Sequence, residues 1–167
     1  MKTKFAVLLY AFAFAFAFAF AASAGAYAAE SSDHHHHGGG GADVEKLELD
    51  AGKKWATDAP LRQAMGDINQ AMTEAAPLIR TDQFDAAAYQ ALAATAKQKV
   101  AYAVEYCKLE PKADAMLHLL LADLMTGAET MEGNTDHTRR EGALEVPQAL
   151  DAYGRYFQHA GWQAPPR

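Results

Sequence analysis

Beyond Asp58, apolar residues recur at intervals of three and four, and that spacing predicts four amphipathic helices. The first carries Leu61, Met65, Ile68, Met72 and Ala75 on one face, with Thr57 or Asp58 as N-cap and Pro60 in its opening turn. Pro77 ends or kinks it. The second starts between Asp82 and Asp85, and Tyr89, Leu92, Ala96, Val100, Ala103 and Cys107 form its stripe. Pro111 closes that helix and opens the third, which runs to Glu132 with Ala113, Leu117, Leu120, Leu124, Ala128 and Met131 inward and Gly133 as its C-terminal glycine. The fourth opens at Asp136, carries Ala143, Val146, Leu150, Tyr153 and Phe157, bends at Pro147 and ends at Gly161.

Short connections force neighbouring helices to run antiparallel. The expected fold is therefore all-α, an up-down-up-down four-helix bundle over residues 57–162, followed by a polar tail at 163–167. The third helix has more apolar surface than one stripe needs, because Met116, Leu119, Leu121 and Met125 widen it. That surface is either central packing or a contact with a second copy or partner protein.

The N-terminus has a different pattern. Lys2 and Lys4 precede an unbroken apolar run of 18 residues from Phe5 to Ala22, and the small residues Ala22 to Ala26 follow. This is the order of a secretory signal peptide spanning residues 1–28, and an uncleaved membrane anchor is its rival. Ala22-Ser23-Ala24, Ala24-Gly25-Ala26 and Ala26-Tyr27-Ala28 all offer cleavage sites. No cysteine stands near the junction to be lipidated. Processing leaves a chain with no second apolar run of spanning length, expected to be exported and off the membrane.

Loss of Lys2 and Lys4 lowers Lys plus Arg from 15 to 13 against 21 Asp plus Glu, so the formal charge moves from −6 to −8. An acidic domain repels phosphate backbones, and nucleic acid is not an expected partner. Cys107 is the only cysteine, so stability comes from packing and no internal disulfide exists.

Residues 29–56 read as a flexible leader. Glu30 to Asp33 precede His34, His35, His36 and His37, and Gly38 to Gly41 follow. Neutral imidazoles suit Cu(II), Zn(II) and Ni(II), neighbouring histidines can reach one ion together, and Asp33 adds a carboxylate oxygen. The bland reading is a low-complexity spacer or a tag. Cleavage after Ser31 would instead place His34 third from a free amine in Ser32-Asp33-His34, a square-planar site for Cu(II) or Ni(II).

The predicted topology gathers Met65, Cys107, Met116, His118 and His159 at the pole where the leader emerges. Thioether, thiolate and imidazole together suit Cu(I). Against that, Met65, Met72 and Cys107 lie on core stripes, His118 flanks its stripe, and His159 turns away from its stripe toward solvent.

An exported bundle ending in Tyr156-Phe157-Gln158-His159 resembles the four-helix cytochromes. The c-prime type attaches haem through C-x-x-C-H, which a single cysteine cannot supply. The soluble b type would imply Met65 and His159 as axial ligands. A closer resemblance, carried by Lys54 to Arg62, Cys107-Lys108-Leu109 and Ala152 to Phe157, is to small exported DnrO-like proteins of Gram-negative bacteria, which have a His-rich leader before a helical domain. That resemblance implies a periplasmic address, a role with heavy metals and no established reaction.

Enzymatic motifs are missing: there is no G-x-S-x-G, no H-E-x-x-H and no phosphate-binding glycine loop, since no Lys-Ser/Thr follows Gly38 to Gly41. Asp136, His137, Arg139 and Arg140 read as a solvated helix start. The leading expectation is a non-catalytic metal-binding or metal-buffering protein, and the alternative is a bundle that binds a partner protein through its third helix.

Overall fold

The computed structural model describes residues 46–166. Among them the chain is all-helical, with α1 (Ala59–Arg80), α2 (Ala86–Tyr106), α3 (Pro111–Glu132) and α4 (Arg139–Tyr156) and no strand. The signal sequence, Asp33, the histidine run and the glycine run lie outside the described residues.

Local chemistry sets most helix ends. Asp58 caps α1 by accepting from the Leu61 N–H at 2.9 Å, and Asp85 caps α2 by accepting from the Ala88 N–H at 2.8 Å. Gly133, at φ 83°, closes α3 in the left-handed conformation that glycine adopts without strain. Thr138 and Glu141 form a reciprocal capping box at the start of α4, two residues later than Asp136, and those hydrogen bonds hold the Glu141 carboxyl below its ordinary range. Pro77 neither ends nor interrupts α1, which continues to Arg80.

Tertiary contacts fix the helix directions. At one pole the second carboxylate oxygen of Asp58 accepts from the Lys108 N–H at 2.6 Å, which ties the end of α2 to the start of α1. At the other, Arg140 Nε lies 3.3 Å from Asp82 Oδ1 and 3.4 Å from the Ile79 carbonyl, which ties the start of α4 to the end of α1. These contacts join the end of α2 to the start of α1 and the start of α4 to the end of α1. Between the helices, Leu61, Met65, Ile68, Leu117, Leu120, Leu124, Leu150 and Tyr153 are sealed from solvent. In α3, Leu121 is also buried, and Met116, Leu119 and Met125 are half-buried against the same core, so packing uses much of the wide face.

Residues 46–57 depart from the expected leader. Trp55 and Leu47 are core residues, and the Trp55 indole N–H donates to the Glu48 carbonyl at 2.7 Å. A tight turn at Ala51 and Gly52, closed by Asp50 and Lys53 backbone bonds of 2.8 and 2.9 Å, reverses the chain so that both apolar residues reach the bundle. Trp55 then pairs its backbone with the chain leaving α4: its N–H donates to the Tyr156 carbonyl, and its carbonyl accepts from the Gln158 N–H, both at 2.8 Å. The folded body therefore begins well before residue 57, because two large apolar side chains in this strap are more stable buried than solvated.

Candidate functional site

The strap decides where α4 stops. Phe157 turns to extended backbone at φ −118° and ψ 144°, held by its bridge to Trp55. Because the helix ends there, the chain folds back and brings His159 against α4 instead of out to solvent. His159 Nδ1 lies 3.0 Å from the hydroxyl of Tyr153, whose side chain is fully buried. The expectation that His159 turns away to solvent assumed a helix running to Gly161; with the helix ending earlier, His159 is half-buried, pairing with Tyr153 while still lining an open cleft.

Trp162 completes the cluster. Its indole N–H donates to the Leu150 carbonyl at 3.2 Å, and its ring centroid lies 4.7 Å from Tyr153 and 4.9 Å from His159. Gly154 makes this contact feasible, since a Cβ at that position would stand 2.3 Å from the Trp162 ring. Gly161, at φ 73°, supplies the turn that returns the indole to the helix. The tail then crosses α1, where the Asn69 carboxamide donates to the Gln163 carbonyl at 3.0 Å.

Between α1 and this returning tail lies an open cleft of about 430 Å³, lined by Gly66, Asn69 and Thr73 on one side and His159, Trp162 and Gln163 on the other. Burial pushes the Tyr153 hydroxyl far above the usual tyrosine range. Burial, and then the Arg62 cation, push His159 below its ordinary value, so the imidazole is neutral at neutral pH.

These shifts predict an acid-sensitive latch. The unfolded chain takes up a proton at His159 near pH 6.5, whereas the folded chain resists until lower pH, so stability falls as pH drops through that window. Urea midpoints at pH 7.5 and pH 5 should fall further apart for wild type than for His159→Gln. Equal drops would remove His159 as the cause.

The residues gathered at this pole by sequence reasoning have separate roles. Met65 is buried in the core. Cys107 is the half-buried C-cap of α2, and burial followed by the Asp58 and Asp114 carboxylates pushes its thiol up, so it stays protonated. Met116 Sδ accepts the Glu48 N–H at 3.4 Å. His118 is exposed, with Nδ1 2.9 Å from the Asp114 carbonyl oxygen and 3.5 Å from its carboxylate. Among the described residues, no group of three or more His, Cys, Asp or Glu is placed to hold a metal ion. None of their helices is long and apolar enough to cross a membrane.

Sequence reasoning missed Asn69, Thr73 and Trp162. The signals were Gly66 and Gly154, glycines inside helical patterns where alanine would be the better helix former. No protein-family model, curated protein or solved structure matches this chain.

Proposed function

We propose that this is an exported, non-catalytic metal-binding or metal-buffering protein: an up-down-up-down bundle released by cleavage of residues 1–28 and carrying its ligands in the segment before it. His34 to His37, with Asp33, take Cu(II), Zn(II) or Ni(II), and the periplasm is the compartment in which they work. The observation that carries this reading is the run of four imidazoles beside carboxylates in an acidic chain. Supporting it, several ligand types in the bundle already have structural work: Met65 packs, Met116 accepts a backbone N–H, and His159 pairs with Tyr153.

The test is calorimetric titration of the mature chain and of a variant with alanine at positions 34–37, using each of the three metals. The alanine variant should bind at least about tenfold more weakly, a difference of about 1.4 kcal/mol. Equal affinities would remove the histidine run from the site. Intact mass of the exported protein fixes its N-terminus: only a chain beginning at Ser32 would make His34 the third residue of a square-planar terminus.

A further inference from the structure

The cleft between α1 and the C-terminal tail has features that packing alone does not require. Gly66 sits in the middle of α1, where glycine is a poorer helix former than alanine. No neighbour demands it, since a Cβ there would meet nothing within 4 Å. The space it leaves is part of the cleft.

The polar groups around that space are only partly used. Asn69 spends its N–H on the Gln163 carbonyl, and its Oδ1 is enclosed without a hydrogen-bond partner among the described residues. The proton of the enclosed Tyr153 hydroxyl needs an acceptor, and His159 Nδ1 is in reach. That assignment leaves Nε2–H as the free donor on the imidazole. Thr73 adds an exposed hydroxyl, and the Trp162 N–H is already given to Leu150, so the indole offers carbon surface. None of the described lining residues is Asp, Glu, Lys or Arg.

We propose that this cleft is a binding site for a small neutral ring bearing several hydroxyl groups, of monosaccharide size. The volume falls within the range of roughly 300–1,000 Å³ typical of small-molecule sites. The imidazole Nε2–H and the exposed Thr73 hydroxyl beside an indole, with no formal charge among the described lining residues, match a hydroxylated ring better than an anion or a metal ion. A single imidazole is too few ligands for an ion, and an anion would find no cation among the described lining residues. No residue named for the cleft belongs to the histidine run, so metal affinity and ring binding are tested on different residues.

The experiment titrates D-glucose into the mature chain and follows the Trp162 indole N–H and the Asn69 carboxamide by two-dimensional NMR. D-glucuronate, the same ring with a carboxylate, is the charged comparison. Saturating shifts are expected with glucose, with at least tenfold weaker binding of glucuronate. Gly66→Leu fills the cleft from a position that has room and should weaken glucose at least tenfold while unfolding no earlier than wild type. If Gly66→Leu does not fold, Thr73→Val decides, because it removes a hydroxyl from an exposed position and should also weaken glucose. Linear shifts, glucuronate bound as well as glucose, or wild-type affinity in the deciding variant would overturn the proposal.

Discussion

Phe157→Ala is expected to lower folding stability by about 3–5 kcal/mol, the usual cost of removing a large aromatic ring from a sealed site. Phe157 is fully buried and stacks on Tyr153, with centroids 5.5 Å apart and planes 14° from parallel. Its backbone lies at the point where the chain leaves α4 and meets the strap. The cavity left by alanine would lie beneath both segments. Denaturant unfolding should show the loss, and amide exchange at Trp55 and Gln158 should accelerate, because those N–H groups hold strap and tail together. Val104→Ala is the comparison: the valine is 57% exposed, and removing its methyl groups should change stability by less than about 0.5 kcal/mol. Similar losses in the two variants would mean that the strap and α4 are not joined through Phe157.

That junction also marks where sequence reading succeeded and where it stopped. The stripes of α1 and α3 were legible because their signals are local: Asp58 before Pro60, Gly133 after Met131, and apolar residues at helical spacing between them. The start of α4 was legible too, but Asp136 was the weaker choice. Thr138 followed three residues later by Glu141 is the reciprocal pair that satisfies two end groups, and it outweighs a lone acidic residue. The end of α4 was not legible, because its cause is remote. Tyr153 and Phe157 keep helical phase, and what stops the helix is backbone pairing to Trp55, about a hundred residues earlier. The position of His159 depends on that stop. The strap was hidden for a related reason: the apolar residues around Leu47 and Trp55 are few and keep no helical period that would mark these two as core. His34 to His37 lie outside the described residues, and the chemistry proposed for them rests on residue type alone.

Gly142→Val should cost about 3 kcal/mol or more, and Gly142→Ala about 1–2 kcal/mol after its gain in helix propensity. Gly142 sits at the crossing of α3 and α4, where a Cβ would stand 2.6 Å from the Gly127 carbonyl oxygen, 2.6 Å from Thr130 Cβ and 2.8 Å from the Met131 nitrogen. Two of those atoms are α3 backbone, so rotating a side chain cannot relieve the clash, and the helices must separate. Gly127 faces the same constraint from the other side, since its Cβ would lie 2.8 Å from Val146 Cγ2 and 3.1 Å from the Gly142 carbonyl oxygen. Separation would loosen the buried row of Leu120, Leu124, Ala149 and Leu150, and for that reason valine should cost more than its own volume suggests. Gly66→Ala provides the opposite sign. It makes the same chemical change inside a helix but enters open space, and should raise stability by about 0.5–1 kcal/mol. Thermal midpoints of the two alanine variants should therefore move apart around wild type. A Gly142→Ala midpoint at or above wild type would show that α3 and α4 cross less closely than their glycines indicate.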